Sequence, residues 1–210
     1  DGGNSNFHDS LRRYEKVRDA GHAFLDVGIS GGEHGEEQGF AVMAGGPSDV
    51  FQSVEPVLRS ISDGFGYAHV GPDGAGHYVK MIHNGIEYAL LQAYAEGFHL
   101  LREGRYDNLD LEQISRIWQH GAIVDSFLLR LMHNIMQRGQ HFPDVSGCVE
   151  QGGTGRWTIE EAFEQGVPVH VIAQSFNVRL NSHKCGGTYA TQLIALLRNE
   201  FGGHKVYHTD

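Results

Sequence analysis

The spacing of apolar residues along this chain changes once, and the change predicts two kinds of architecture. In residues 49–61, Val50, Val54, Val57, Leu58 and Ile61 recur every three or four positions, the period of an amphipathic helix, and residues 7–20 also read as helical. Between and after them lie three short apolar runs, His22–Val27, Phe40–Ala44 and Tyr67–Val70, whose length and flanks predict strands. Strands alternating with helices form the pattern of an α/β sheet. GPDGAGH, residues 71–77, interrupts the chain. Beyond it the pattern predicts helices alone, over about 75–103, about 110–137, a short stretch starting at Thr158, about 168–182 and about 188–200. The expected class is α+β, an α/β segment followed by an all-α one, with no internal repeat.

The helix expected from residue 75 carries the most unusual stretch, KMIHNGIEYALLQAYAEGFHLL at 80–101. At about 100° per residue, Lys80, His83, Asn84, Glu87 and Tyr88 share one side within roughly 140° of arc. Ile82, Ile86, Leu90, Ala93 and Phe98 supply a second side at core-facing spacing. A lone buried His or Asn is usually a satisfied core group. A lysine with a glutamate two turns later on one face is costly to bury for structure alone, so the pattern favours chemistry. A lysine can act as general base and a nearby carboxyl as general acid, which together move two protons in one reaction.

Composition narrows what that chemistry can act on. A formal charge of -10 with 14 histidines argues against a nucleic-acid surface, so an anionic ligand would need a local basic cluster. The two cysteines, Cys148 and Cys185, lack CxxC spacing and suit a reducing compartment, with the cytoplasm as default. No stretch approaches the roughly 20 apolar residues of a membrane span, and no signal-peptide pattern opens the chain. The start DGGNS lacks an initiator methionine and runs at once into a helix, which reads as though a segment precedes it. There is no HExxH, and the histidine pairs lack a carboxylate or thiolate at ligand spacing, so no metal is expected.

Three glycine-rich stretches are weaker signals. In LDVGISGGEHG, residues 25–35, an apolar run passes into Ser30-Gly31-Gly32, where backbone amides could approach a ligand; alone, an ordinary turn explains it better. No G-x-G-x-x-G occurs in the chain. QGGTGRWT, residues 151–158, joins a glycine-rich loop to a helix start with Thr158 as candidate N-cap ahead of Glu160 and Glu161. A simple capped loop accounts for it as well as an anion site does. RNEFGGH, residues 198–204, ends a helix at Gly202-Gly203 with an arginine and a histidine around the stop, a placement that helix dipoles alone favour.

Taken together, DGGNS at 1–5, SGGEHG at 30–35, GPDGAGHYVKMIHNGIEYALLQAYAEG at 71–97, GTGRWT at 153–158 and RNEFGGH at 198–204 resemble the decarboxylating 6-phosphogluconate dehydrogenase family, in the family's order and over nearly the whole chain. The run K-x-x-H-N-G-I-E-Y separates this family from the related β-hydroxyacid dehydrogenases, which share the lysine and the asparagine but not the full string. The resemblance implies a Rossmann-like NAD(P)-binding domain, of which residues 1–71 are the C-terminal part, followed by an all-α substrate-binding and dimerisation domain at 72–210. The all-α part is shorter than in long-form members, so the chain resembles the short form. A lysine that some long-form members carry before the GTG loop aligns with Gly152, which removes one phosphate contact.

Residue by residue, the resemblance makes Lys80 the general base, Glu87 the general acid, and His83 and Asn84 the contacts to substrate hydroxyls. Ser30, Gly31 and Gly32 match the loop beside the sugar carboxylate, while Asn4 stands at the boundary of substrate and cofactor and Glu33 on the cofactor side. Tyr88, Thr154 and Arg179 match phosphate contacts. Arg198 and His204 match a tail that reaches the partner subunit's site in a homodimer. The implied reaction is oxidation and decarboxylation of 6-phosphogluconate to ribulose 5-phosphate in the pentose phosphate pathway, with NAD or NADP as cofactor. Two other readings stay open: a helical dimerisation and substrate-binding module without turnover, and a β-hydroxyacid dehydrogenase for a smaller acid, against which Arg179 and Arg198 speak.

Overall fold

The computed structural model describes residues 1–209 and divides into two compact units, Asp1–Gly85 with Gly153–Val167, and Ile86–Gly152 with Pro168–Asp210. The first unit holds helix α1 (Phe7–Asp19), strand β1 (Asp26–Ser30), a 3-10 turn at Gly32–His34, the one-turn α2 (Gly35–Gln38), β2 (Ala41–Gly45), α3 (Ser48–Ile61) and β3 (Tyr67–Gly71). The strands form one sheet in the order β1-β2-β3, antiparallel between β1 and β2 and parallel between β2 and β3. Leu25, Val27, Val42, Ala44 and Leu58 are its buried core, with Val50 and Val54 of α3 laid against them as their spacing requires.

The first strand lies later than its apolar run suggests, at Asp26–Ser30 and not His22–Val27. The cause is its partner. The ladder pairs Asp26 with Gly45 and Ser30 with Ala41, so the ends of β2 set its length. Residues just before Asp26 pair instead with the chain start, where the Asp1 amino group donates to the Leu25 carbonyl at 2.8 Å.

Helix α4 (Ala75–Glu103) begins in the first unit and is docked there by a carboxylate and by missing side chains. Asp26, buried at the start of β1, accepts from the Gly74 N–H at 2.8 Å and the His77 N–H at 2.7 Å, so it satisfies orphan donors at the positive end of the helix. Gly76 meets the sheet backbone: a Cβ there would lie 2.5 Å from the Met43 carbonyl oxygen and 2.9 Å from the Gly45 nitrogen. Gly28 meets Lys80 in the same way, a Cβ there reaching within 2.6 Å of the Gly76 carbonyl and colliding with Lys80 Cβ. The lysine is thus seated by direct contact between helix and strand backbones.

His77, also buried, places Nδ1 2.7 Å from the Ser10 hydroxyl, while its Nε2 has no partner among the described residues. Burial lowers its pKa below 6.5, against the pull of the Asp26 charge in the other direction. The fold therefore binds fewer protons than the unfolded chain as pH falls through 6.5, and stability falls with it until the folded-state value is passed. His77→Gln is expected to flatten the decline of the thermal midpoint between about pH 7.5 and about 5.5. Parallel profiles for wild type and variant would show that this histidine is not the titrating group.

The second unit is helical. It takes the rest of α4 with α5 (Leu111–Trp118), α6 (Phe127–Gln137), α8 (His170–Cys185) and α9 (Tyr189–Gly202), whereas α7 (Thr154–Glu164) belongs to the first unit. Its core is Leu91, Ala95 and Phe98 of α4 with Leu129, Met132, Ile135 and Met136 of α6 and Leu193, Ile194 and Leu197 of α9. No helix of the described residues is long and apolar enough to cross a membrane.

Three expectations are corrected here. The apolar stripe assigned to the core of α4 is partly outside: Ile86 and Leu90 are 51% and 47% exposed, and the buried row is Met81, Tyr88, Leu91, Ala95 and Phe98. The helix expected over 110–137 is two, because Gly121 takes φ 82° and Ser126 caps Leu129 N–H to start α6, leaving Ile123 in solvent. Thr158 does not cap α7, which starts at Thr154 after Gly153 at φ 90°. Instead Thr158 is buried within it and donates to the Met81 carbonyl at 2.9 Å. After residue 75 the elements are all helices, as expected, and the C-terminal segment is tied to a loop through a Val145–His208 bridge, a Ser146 N–H to Tyr207 carbonyl bond of 2.8 Å and a Thr209 N–H to Asp144 carbonyl bond of 3.1 Å.

Candidate active site

In the first unit, Lys80, His83 and Asn84 converge as their i, i+3, i+4 spacing on α4 dictates. Lys80 is buried, and its Nζ donates to Asn84 Oδ1 at 2.8 Å. His83 Nδ1 lies 3.0 Å from the same oxygen and its Nε2 3.4 Å from the Ser30 hydroxyl. With Nδ1 protonated, the ring donates to Asn84 and leaves Nε2 to accept from Ser30; Lys80 Nζ, 3.5 Å from the same Nδ1, calls for the other tautomer. The Asn84 amide nitrogen, 3.4 Å from Thr154 Oγ1, is then directed at the start of α7. A Cβ at Gly85 would press on Thr158 Cγ2 at 2.8 Å, so glycine is what lets α7 approach α4 here.

The strand-end loop brings the other predicted residues of this unit to its edge. Asn4, at φ 48°, uses both ends of its amide on one residue: Oδ1 accepts from Ile29 N–H and Nδ2 donates to the Ile29 carbonyl, each at 2.9 Å. Its side chain therefore extends the β1 edge and anchors the chain start beside Ser30. Gly31 and Gly32 follow at φ 145° and 55°, a backbone that favours glycine and leaves the loop without Cβ atoms. Glu33 is exposed in the turn after them. Asn4 and Glu33 are the residues of this edge expected to face a cofactor. The pyrophosphate of a dinucleotide finds no G-x-G-x-x-G cradle in this sequence.

The second unit holds Glu87, Tyr88, Arg179, Arg198 and His204. Arg179, 1% exposed, has its guanidinium carbon 3.3 Å from the centre of the Tyr88 ring, a cation–π contact. Its Nη1 and Nη2 are buried with no hydrogen-bond partner among the described residues. Burial holds its pKa down to about 10, with the Arg198 charge pushing the same way and Tyr88 and Glu87 opposing. Arg198 is also buried and lowered by desolvation, against the charges of Tyr88, Glu87 and Glu150. His204 is lowered by burial and then by the two guanidiniums, which keeps it neutral near pH 7. Two desolvated cations, one of them with open donors, form the local positive centre that an acidic chain requires to hold an anion.

Thr154 belongs to the first unit and stands with Asn84, whereas Tyr88 and Arg179 are together in the second. Arg198 and His204, expected to serve a partner, lie within the electrostatic reach of Arg179 in the same chain. Asp26, Glu150 and Tyr207 went unnoticed in the sequence, and Thr158 was read there only as a cap. The structure also gathers His8, Glu161 and Glu164 with their ligating atoms within 4.8 Å of one another, a grouping that chain separation hides. Exposed groups of this kind form readily without an ion.

Residues 1–71 match the NAD binding domain of 6-phosphogluconate dehydrogenase, and residues 76–191 match the 6-phosphogluconate dehydrogenase C-terminal domain. A relative from Haloferax volcanii, the NAD(+)-dependent decarboxylating 6-phosphogluconate dehydrogenase, is 46% identical over all of this chain and 69% of its own length. The Plasmodium falciparum 6-phosphogluconate dehydrogenase, solved with NADP+ and with 6-phosphogluconate, superposes with TM-score 0.74 at 27% identity over 96% of this chain and 49% of that one. A 3-hydroxyisobutyrate dehydrogenase from Salmonella typhimurium shares the fold at 18% identity, TM-score 0.71, over 90% of this chain and 65% of that one. The two matched domains and the level of identity agree with the motifs, and the chain belongs to the 6-phosphogluconate dehydrogenase family.

Proposed function

We propose that this chain binds 6-phosphogluconate and carries the acid and base of its oxidative decarboxylation to ribulose 5-phosphate, in the cytoplasm. The observation that carries the reading is Arg179: a buried guanidinium with two unpartnered nitrogens, beside a second buried arginine, is suited to a phosphate dianion. A smaller unphosphorylated hydroxy acid leaves that cluster unmatched.

A bound nicotinamide, from NAD or NADP, supplies the hydride acceptor. Lys80 takes the proton of the substrate 3-hydroxyl as the C3 hydrogen leaves as hydride, and Asn84, bonded to Nζ, fixes where the amine points. His83 and Ser30 are placed to bond neighbouring hydroxyls. The 3-keto acid then loses CO₂. Lys80, now protonated, donates to the ketone oxygen as the enediol forms, and Glu87 delivers a proton to C1. The two groups sit two turns apart on α4, so the proton that Glu87 delivers to C1 need not come from Lys80.

Calorimetric titration with 6-phosphogluconate and with gluconate tests the binding claim. We expect the phosphorylated acid to bind at least about 30-fold more tightly; equal affinities would remove the phosphate from the reading. The second half-reaction needs no hydride acceptor, so exchange of the C1 hydrogen of ribulose 5-phosphate with deuterated water tests the two residues directly. Exchange should be lost in Glu87→Gln and in Lys80→Met. The proposal extends to a homodimer in which each tail can serve the other chain's cluster, as mixing tests. Lys80→Met combined with Arg198→Ala should recover exchange if sites are shared, and should stay silent if each tail serves its own chain.

A further inference from the structure

Helix α7 meets the part of α4 that carries Lys80 and Asn84 at two levels, one helical turn apart. At the first, Thr154 Oγ1 lies 3.4 Å from the Asn84 amide nitrogen. At the second, the buried Thr158 hydroxyl is 2.9 Å from each of two carbonyls, that of Thr154 in its own helix and that of Met81 in α4. The Thr154 carbonyl alone would satisfy this hydroxyl, as it does for many threonines inside helices. The Met81 carbonyl is an added acceptor, and its effect is to fix one helix against the other. Met81 follows Lys80 in the chain and is itself buried, so the bond grips α4 beside the proposed base. Thr158 Cγ2 packs at the same place, on the open side of Gly85.

We propose that Thr158 is a positioning residue for Lys80, acting through α7, Thr154 and the Asn84 amide. The proposal rests on the functional reading above. Asn84 Oδ1 accepts from Lys80 Nζ at 2.8 Å, so the amide has to present its oxygen to the lysine and its nitrogen elsewhere. Thr154 Oγ1 is the acceptor on that other side. Reversed, the amide would set its own donors against those of the lysine. Where Thr154 stands is decided one turn along α7, by the Thr158–Met81 bond and the methyl packed at Gly85. Loss of the hydroxyl leaves the methyl contact in place but frees the first turn of α7 to shift, and the amine loses the fixed direction on which proton transfer depends.

Two substitutions separate this role from a structural one. Thr158→Val keeps the shape and removes the hydroxyl, whereas Thr158→Ser keeps the hydroxyl and removes the methyl. Exchange of the C1 hydrogen of ribulose 5-phosphate in deuterated water is followed against substrate concentration. In Thr158→Val, kcat should fall at least about tenfold with KM within about twofold of wild type, because Arg179 and Arg198 are untouched. Thr158→Ser should retain at least about half the wild-type kcat, although removal of a buried methyl lowers its thermal midpoint as well. The rate then follows the hydroxyl and not the stability. In isotope-labelled protein the Asn84 side-chain amide resonances, identified by their absence from Asn84→Asp, should move in Thr158→Val and hold in Thr158→Ser. An unchanged kcat in Thr158→Val, or an equal fall in both variants, overturns the proposal, and unmoved resonances in Thr158→Val overturn the route through Asn84. Wild type that exchanges no hydrogen defeats the functional reading and this proposal with it, whereas exchange that Thr158→Val leaves intact defeats the proposal alone.

Discussion

Arg179→Met is expected to make the free protein more stable and its ligand complex far weaker. The guanidinium is 1% exposed, its two terminal nitrogens are unpartnered, and its pKa is held down to about 10 by desolvation, so the folded chain bears the cost of a buried cation before any ligand arrives. Replacing it with an unbranched apolar side chain that can still lie on the Tyr88 ring removes that cost, and buried charges replaced in this way typically return about 1–4 kcal/mol. In a chain of this size each kcal/mol corresponds to about 2–4 °C in thermal midpoint. Affinity for 6-phosphogluconate should fall at least about 30-fold, since the phosphate would face Arg198 alone. A lower melting temperature together with unchanged affinity would mean that Arg179 is a structural arginine, and the functional reading would lose its main support.

Gly76→Ala and Gly97→Ala should change stability in opposite directions, although both glycines lie inside the same helix. At Gly76 the added methyl meets the Asp26 and Met43 carbonyl oxygens and the Gly45 nitrogen, all backbone atoms of the sheet, so no side chain can swing aside. A loss of at least about 3 kcal/mol is expected, with Lys80 displaced along with its turn. At Gly97 a Cβ would find no heavy atom within 4 Å, and alanine there should gain about 0.5–1 kcal/mol from backbone entropy. Urea unfolding of both variants measures the pair. Similar midpoints for the two would show that α4 does not dock on the sheet through Gly76.

The sequence made some of this legible and not the rest, for separable reasons. Period three to four placed α3 and α9, and glycine punctuation placed the start of α4, because those signals are local. The Lys80, His83 and Asn84 cluster could be read for the same reason, since one turn of helix assembles it. The stripe through Ile86 and Leu90 misled because α4 is apolar on more than one side, and periodicity cannot choose between two rows that both repeat correctly. In α8 the buried row is Ser175, Phe176, Arg179 and Ser182, mostly polar, so hydrophobicity points away from the inward face. The resemblance singled out Arg179, but its burial came from the structure alone. Asp26 and Glu150 lay out of reach because their partners, His77 and Tyr207, are 51 and 57 residues away along the chain.

Helix α4 runs without a break from Ala75 to Glu103, and it bears the proposed base of one unit and the proposed acid of the other. Along such an element, length is fixed more tightly than composition. Inserting or deleting one residue between Lys80 and Asn84 would turn Asn84 by about 100° and shift it by about 1.5 Å, carrying it off the side it shares with Lys80. Changes of length can be absorbed in the turns at Gly121 and Gly186, where an added side chain has nothing within 4 Å and the backbone is already irregular. The segment 81–83 should therefore be the part of this protein whose length least tolerates change, even where its individual side chains can be exchanged.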